Sequence, residues 1–186
     1  MKLTYVTRNK HKFENAQKFF VPHGVELVQA SLSIQEIQAH DGLEVAKHKA
    51  QSAWEMLHEP LFVNDASWSI PALNGFPGPY MKYVNEWFES NDFLQLMEGK
   101  EDRTVILKDV IVYIDETGPV VFTNEHRGTI LTGPAQGNCR HPSDAVISLS
   151  KSGASISEEI SRGVSFIEDE NKIWEDFVSW LTQNHG

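Results

Sequence analysis

The sequence predicts a mixed α/β fold. In the first half of the chain, short runs of apolar and β-branched residues alternate with longer segments of helical periodicity, and a strand-rich segment follows. No repeat, low-complexity tract or linker interrupts this pattern. With 186 residues, the chain has the length of one ordinary domain. We therefore expect residues 1–186 to form a single domain, either compact or with two lobes around a cleft.

The first half of the chain predicts two strands and two helices. Lys2–Val6 has the alternation of a strand, and apolar residues recur at helical spacing between 10 and 23, up to Gly24. Residues 25–29 predict a second short strand. Residues 42–58 carry a single apolar stripe and predict a long amphipathic helix.

The segment around Asp65 predicts a strand that leads into a functional loop. Leu61–Val63 is long enough for a buried strand, and the small polar residues of Asn64–Ser67 predict a turn directly behind it. Two glycines and two prolines then give the loop 72–80 a defined shape. A rigid loop beside an acid suits a site for a metal ion and a polyanion. The alternative is a tight connection in which Asp65 only caps a turn.

The rest of the chain predicts one helix and three strands. Residues 85–98 have the pattern of a single amphipathic helix. Residues 104–114 and 120–122 predict two strands joined by a turn, and residues 126–131 predict a third.

Composition excludes several classes of function. The formal net charge of −10 argues against a nucleic acid polymer as a partner, since binding to its backbone needs clustered Lys and Arg. No window approaches the roughly 20 apolar residues of a membrane helix, so we expect no membrane partner. The single cysteine, Cys139, cannot form an internal disulfide, and the N-terminus has no apolar segment typical of a signal peptide. We expect a cytoplasmic protein.

The turn after the first strand is a candidate phosphate-binding loop. It precedes a helix, so it presents free backbone donors where the helix dipole favours an anion. The side chains of Thr7 and Asn9 can add donors, and Lys10 or Lys12 can add charge. The alternative is that Asn9 is only the N-cap of the helix and that the lysines form a solvated face.

Three ordered motifs give the chain a family resemblance. Asp65 with the segment ALNGFPGPYMKY resembles the signature of the inosine triphosphate pyrophosphatase family, which hydrolyses non-canonical purine nucleoside triphosphates. Thr7–Lys12 resembles the T-x-N-x-x-K phosphate loop of that family. Glu36-Ile37-Gln38, followed by a helix that carries Lys49-Ala50, agrees in order and spacing.

The resemblance implies a fold, a reaction and a site. The fold would be a long twisted mixed β-sheet flanked by helices, with two lobes around a central cleft. Mg²⁺ would bridge the phosphates while water attacks, which releases pyrophosphate and a nucleoside monophosphate. Asp65 and Lys49 would be catalytic, and Glu36 and Asp65 would hold the metal. The substrate would be bound by a further set of polar residues, Thr7, Asn9, Lys12, Ser67 and Asp144.

Two elements of the family are altered in the last third of the chain. A glycine-aromatic-Asp-Pro stretch is represented only by Asp144, with Ala145 in place of the proline and no aromatic residue before it. A Ser-His-Arg trio on the last helix aligns best with Trp174, Glu175 and Asp176. Two carboxylates would repel a triphosphate where the family has donors.

These changes leave several interpretations open. The acid that relatives often carry just before Asp65 is Asn64 here. Arg140 or Arg162 could replace the lost donors, the last helix could be displaced, or the substrate could be a different nucleotide. The chain could also be a nucleotide-binding protein that has lost catalysis.

The resemblance also implies a homodimer. Relatives are commonly dimeric, and the loop and helix that follow Asp65 lie near the subunit contact in such enzymes. Trp87, Phe88 and Phe93 supply more aromatic surface than one helix stripe usually buries. The alternative is that all three fill the core of the monomer.

Overall fold

A computed structural model describes residues 1–165 and 172–185, so the predicted start of the last helix at Asn171 lies outside the described residues. The chain folds into two compact units. Among the described residues, the first unit comprises 1–65, 109–124 and 172–185, and the second comprises 66–108 and 125–165. No helix in the described ranges is long and apolar enough to cross a membrane.

The described residues form seven strands and six α-helices. The strands are β1 (Lys2–Val6), β2 (Glu26–Ala30), β3 (Leu61–Ser69), β4 (Pro77–Gly78), β5 (Thr104–Asp115), β6 (Gly118–Ile130) and β7 (Ile147–Ser148). The helices are α1 (Lys10–Phe20), α2 (Gly42–Leu57), α3 (Met81–Trp87), α4 (Ser90–Leu96), α5 (Ile156–Arg162) and α6 (Lys172–His185). Short 3-10 turns occupy Val21–His23, Pro71–Leu73 and Pro142–Ala145.

The strands form a mixed sheet in the order β2-β1-β3-β5-β6-β7, with β4 paired to β3. Strand β1 runs parallel to both β2 and β3, whereas β4 is antiparallel to β3 and β7 is antiparallel to β6. Because a parallel pair needs a crossover, α1 connects β1 to β2 and α2 lies between β2 and β3 in the chain. The predicted mixed sheet flanked by helices is confirmed.

In the first unit, alternation along the strands divides the core between the two faces of the sheet. Tyr5 and Phe62 pack with the apolar residues of α1 and α6, and their rings stack with centroids 4.3 Å apart. Val6, Leu61 and Val63 pack instead with α2. Successive residues of a strand point to opposite faces, so the odd and even positions of β3 serve different helices. This alternation decides which helix each polar residue of β3 approaches.

The second unit has a core of its own. Twelve buried apolar residues form it. They come from α3, α4, β5, β6, β7 and α5 and from the residues that adjoin β3, α4 and β7: Ile70, Met81, Val84, Phe93, Met97, Val105, Leu107, Ile130, Val146, Ile147, Leu149 and Ile156.

The predicted turn at Asn64–Ser67 is wrong, because β3 continues without a break from Leu61 to Ser69. The Asn64 side-chain amide donates to the Val110 carbonyl at 3.2 Å, and Ser69 pairs with Pro77 of β4. Strand formation here depends on partners that lie far away in the sequence, which overrides the weak strand propensity of the small polar residues. Asp65 therefore lies within a strand.

The predicted single helix over 85–98 is also wrong. Phe88 adopts an extended conformation and separates α3 from α4. The Glu89 backbone N–H donates to the Asp92 carboxylate at 2.7 Å, and the two residues form a capping box that starts α4. Phe88 packs against Phe93 with ring centroids 5.4 Å apart. An apolar anchor and a cap interrupt the helix although its periodicity looks continuous.

The two strands predicted over 120–122 and 126–131 are a single strand, β6. Its exposure alternates along most of its length. The polar residues between the two predicted segments are therefore compatible with a strand that has one solvated face.

Candidate active site

The turn Thr7–Lys12 is fixed by hydrogen bonds at both ends. The backbone N–H of Thr7 donates to the Ala30 carbonyl at 3.0 Å, and the Gln29 amide donates to the Thr7 carbonyl at 3.0 Å. The Asn9 side chain accepts from the Lys12 N–H at 3.1 Å and is the N-cap of α1. The N-cap interpretation of Asn9 is therefore confirmed. A capped helix start still offers backbone N–H groups to an anion, so the cap and the phosphate loop are compatible.

Lys12 reaches from α1 to the middle of β3. Its ammonium group donates to the Asn64 carbonyl at 3.2 Å, and its side chain is half-buried. Burial lowers the pKa of Lys12, while the nearby carboxylates, with Asp65 first and Asp109 second, favour the charged form. The result is a lysine held at a fixed position beside several acids.

Lys49 lies between two carboxylates. Its ammonium group is 3.1 Å from Oδ2 of Asp65 and 3.4 Å from Oε1 of Glu36. Asp65 shares the face of β3 that packs against α2, and α2 carries Lys49. Relative exposures of 20% for Lys49 and 29% for Asp65 describe a partly shielded cluster that is open to solvent. The three residues meet although 16 positions separate Lys49 from Asp65.

A pocket in the first unit borders this cluster. Its lining combines polar and aliphatic side chains, namely Val6, Thr7, Arg8, Leu32, Ile34, Glu36 and Lys49. The sequence motifs did not single out Arg8, because it occupies the unspecified position between the threonine and the asparagine of the phosphate loop. Asp109 was also missed, and its proximity to Lys12 depends on strand pairing that no local pattern reveals.

Two predicted substrate-binding residues belong to the second unit. Ser67 on β3 is 9% exposed and Asp144 is 4% exposed. Oδ2 of Asp144 accepts from the backbone N–H groups of Arg140 at 2.8 Å and His141 at 3.0 Å. Asp144 therefore orders its own loop. Contacts of Ser67 and Asp144 with a substrate stay predictions.

The Glu36–Asp65 pair fits a magnesium ion. The two carboxylates already share one cation, the Lys49 ammonium group. Among the residues that the structure describes, no group of three or more His, Cys, Asp or Glu side chains could hold a metal. Mg²⁺ is commonly held by only one or two carboxylates together with water and substrate phosphates. Two carboxylates beside the candidate phosphate loop meet that requirement.

Trp174, which aligns with the serine of the family's Ser-His-Arg trio, is a core residue in this chain. Trp174 is 7% exposed and stacks on Phe19 with ring centroids 5.8 Å apart, within the core between α1 and α6. Asp176 lies on the exposed side of α6, where it accepts from Lys172 at 2.9 Å. A core tryptophan cannot serve as a polar ligand, so α6 packs against the sheet at this position.

The whole chain resembles known proteins. The sequence profile of the Ham1 family matches residues 3–165. A protein of Thermococcus kodakarensis is 32% identical over 185 residues, covers 99% of both chains and is named dITP/XTP pyrophosphatase. A protein of Methanothermobacter marburgensis with the same name is 31% identical and covers 100% of this chain and 98% of its own.

Solved structures share the fold. The HAM1 protein of Coxiella burnetii superposes with a TM-score of 0.81 at 18% identity, over 98% of this chain and 99% of its own. The Ham1 protein of Staphylococcus aureus gives a TM-score of 0.79 at 18% identity, over 97% and 99% of the two chains. At such identity the likeness establishes the fold alone. Together with the profile match over residues 3–165 and the full-length relatives, it shows that the chain belongs to the Ham1 family.

Proposed function

We propose that this protein is a metal-dependent hydrolase that cleaves non-canonical purine nucleoside triphosphates, such as ITP, dITP and XTP, to the monophosphate and pyrophosphate. The observation that carries the proposal is the Lys49 ammonium group between Glu36 and Asp65, in the same unit as the phosphate-loop turn. The names of the full-length relatives support the substrate class.

The cations of the cluster suit a triphosphate. Lys12 and Lys49 bring two ammonium groups to one site, and the first turn of α1 adds backbone donors and the positive end of its dipole. The Thr7 hydroxyl accepts from the Asn9 N–H at 3.1 Å, and it would donate its own proton to a phosphate oxygen when substrate binds. This arrangement would position the phosphates before any bond is broken.

Mg²⁺ would be held by Glu36 and Asp65, and when bound it neutralises phosphate charge and makes water more acidic. Lys49 would turn from the two carboxylates toward the phosphates when the metal occupies the pair. Asp65 would also orient the attacking water and accept its proton, the role of a general base. The leaving group is pyrophosphate, whose charge Lys12 would help to stabilise.

The experiment is a panel of triphosphates in the presence of Mg²⁺ that includes ITP, XTP, dUTP and the four common nucleotides. Pyrophosphate and monophosphate are followed together, because equal amounts of the two identify cleavage between the α and β phosphates. We expect the highest kcat/KM for ITP or XTP. Fastest release from a pyrimidine nucleotide would overturn the purine preference, and no turnover on any nucleotide with Mg²⁺ or Mn²⁺ would overturn the hydrolase.

A second candidate is a nucleotide-binding protein that does not hydrolyse its ligand. Asn64 stands where relatives often have an acid, and its amide is engaged with the Val110 carbonyl. No aromatic residue precedes Asp144, so a base would lose a stacking partner there. Calorimetry with an inosine nucleotide, beside the rate assay, separates the candidates. Tight binding without turnover favours the binding protein.

We also propose a cytoplasmic homodimer that uses the exposed end of α3. Trp87 is 74% exposed and Tyr83 is 45% exposed, with ring centroids 6.0 Å apart. Phe93 is only 1% exposed, so the core alternative holds for it and not for Trp87. Sedimentation equilibrium at micromolar concentration should give twice the mass of 21.1 kDa, and Trp87→Ser should lower it. A single species near 21.1 kDa for the parent protein would refute the dimer.

A further inference from the structure

We propose that Arg8 is a phosphate-binding residue that grips the end of the phosphate chain through its guanidinium group. The inference deepens the proposed function and rests on it for the identity of the substrate. It assigns a specific task to a residue that the family's phosphate-loop motif leaves unspecified.

The surroundings of Arg8 point to a ligand. Arg8 lines the pocket that Glu36 and Lys49 also line, and its side chain is exposed. Within residues 1–165 and 172–185, the Arg8 side chain makes no hydrogen bond or ion pair. Glu36 is engaged by Lys49 at 3.4 Å and does not neutralise Arg8. A positive charge therefore faces the pocket with no protein partner in the described structure.

The neighbours of Arg8 in the turn are held in place by hydrogen bonds and an ion pair. The Thr7 hydroxyl accepts from Asn9, the Asn9 side chain caps α1, and Lys10 pairs with Glu14 at 3.5 Å. Hydrogen bonds from Thr7 and Asn9 hold the backbone on both sides of Arg8. The arginine thus projects from a braced turn, which reduces the entropy lost when its side chain binds a ligand.

Arg8 is a better replacement for the missing His and Arg donors of the family's last helix than Arg140 or Arg162, the two arginines that the sequence suggested. Nε of Arg140 is 4.0 Å from the Asp144 carboxylate, and Nη1 of Arg162 is 3.7 Å from Glu159. Each of those guanidinium groups thus has a carboxylate neighbour in the second unit. Arg8 forms no ion pair with a carboxylate in the described residues and belongs to the unit that contains Lys12 and Lys49.

The chemistry of the guanidinium group specifies the ligand class. Its planar fork of N–H donors matches two oxygens of one phosphate, whereas the ammonium groups of Lys12 and Lys49 act as point charges. A terminal phosphate offers three such oxygens. Arg8 would therefore add a bidentate contact to the charge that the two lysines supply, and it would hold triphosphate and released pyrophosphate more tightly than monophosphate.

The test uses inorganic tripolyphosphate with Mg²⁺, so that no base contributes to binding. Calorimetry compares the parent protein with Arg8→Gln, Arg8→Lys and the control Lys18→Gln, which removes the same charge from the exposed last turn of α1. We expect Arg8→Gln to weaken binding about tenfold to a hundredfold, the range for one charge-assisted contact. Arg8→Lys should recover part of the loss, and Lys18→Gln should stay within about threefold, as expected for a solvent-exposed charge.

Each other outcome overturns a defined part of the reasoning. Arg8→Gln within threefold of the parent, an equal effect of Lys18→Gln, or no binding of tripolyphosphate to the parent would overturn the role of Arg8. Weaker binding of inosine with unchanged binding of tripolyphosphate would assign Arg8 to the base and overturn it as well. If tripolyphosphate binds through Arg8 but no nucleotide is hydrolysed, only the hydrolase proposal fails.

Discussion

Asp65→Asn separates the catalytic role of this residue from its structural role. The substitution keeps the size of the side chain and removes the charge that faces Lys49 at 3.1 Å. Glu36 remains 3.4 Å from Lys49, so the ammonium group keeps a carboxylate partner. The backbone of β3 is not altered, because the strand pairs through its main chain and through neighbouring side chains.

The expected effects on stability and on rate differ in size. Ion pairs with solvent access are worth about 1 kcal/mol or less, and Asp65 is 29% exposed in its pair with Lys49. In a domain of this length, 1 kcal/mol corresponds to roughly 2–4 °C in Tm. Loss of a general base costs about a hundredfold or more in turnover, which is about 2.7 kcal/mol in the barrier. The rate should thus fall far more than the stability.

The assay measures kcat for ITP at increasing Mg²⁺, together with the Tm of each variant. If Asp65 acts only as a metal ligand, higher Mg²⁺ restores the rate, and if it activates water, the deficit persists at saturating Mg²⁺. Asp176→Asn is the matched control, because it also removes a carboxylate paired with a lysine, at 2.9 Å from Lys172. Turnover of Asp65→Asn within a few-fold of the parent would show that Asp65 is structural and that the site is misplaced.

Three further substitutions test the first unit. Burial lowers the pKa of Lys12 below 10.5, so Lys12→Arg should move the alkaline limb of the kcat/KM profile to higher pH, since arginine stays protonated. Glu36→Gln should raise the Mg²⁺ needed for half-maximal rate about tenfold or more while Lys49 keeps Asp65 as a partner; an unchanged metal requirement would remove Glu36 from the metal site. Burial raises the pKa of Asp115, but hydrogen bonds from Thr117 outweigh it and hold that pKa below 3.8. Because the folded pKa is depressed, the stabilisation is present at neutral pH and is lost as pH falls, so the destabilisation caused by Asp115→Asn in urea unfolding should shrink as the pH falls toward and below about 4.

The sequence predicts those elements whose signals are local. The helical segment predicted up to Gly24 consists of α1, which ends at Phe20, and a 3-10 turn that ends at Gly24, whose φ of 70° is readily adopted by glycine. α2 begins after the cap Asp41, whose side chain accepts from the Leu43 N–H. Both helices also carry continuous apolar stripes that pack on the sheet. These signals lie within a few residues of each element, so periodicity and caps are sufficient.

One error arises from a distant contact, and another from a local cap inside a continuous helical pattern. β3 passes through Asn64 because the amide finds Val110, 46 residues away in the sequence. The break before α4 depends on the pairing of Glu89 with Asp92, and the helical periodicity continues across it. Local propensity carries no information about the first contact and misleads about the second.

The family resemblance predicted some residues of the candidate site and not others. No local pattern brings Glu36, Lys49 and Asp65 together, and the family resemblance selected them because it records a three-dimensional arrangement. The resemblance could not select Arg8, since a motif is silent about its unspecified positions. It also aligned Trp174 with a polar position of the family, because the burial of this tryptophan is not visible in the sequence.

Asn64 replaces an acid that relatives often have, but its amide also has a structural role. The substitution Asn64→Asp tests that role. The side-chain amide of Asn64 donates to the backbone carbonyl of Val110, a residue that is 1% exposed. The backbone carbonyl of Asn64 accepts from the Lys12 ammonium group. Aspartate cannot donate when ionised, so the Val110 carbonyl would lose its side-chain donor and face a negative charge.

A buried group left without its partner costs about 1–3 kcal/mol, so we expect Asn64→Asp to lower the Tm by roughly 2–12 °C at pH 7. The penalty should diminish toward pH 4, where the new carboxyl group becomes protonated and can donate again. Urea unfolding across this pH range measures the effect, with Asn64→Ala as the variant that removes the amide without adding charge. If Asn64→Asp is as stable as the parent at pH 7, the amide has no structural task. The asparagine would then mean only that the site works without a second acid at this position.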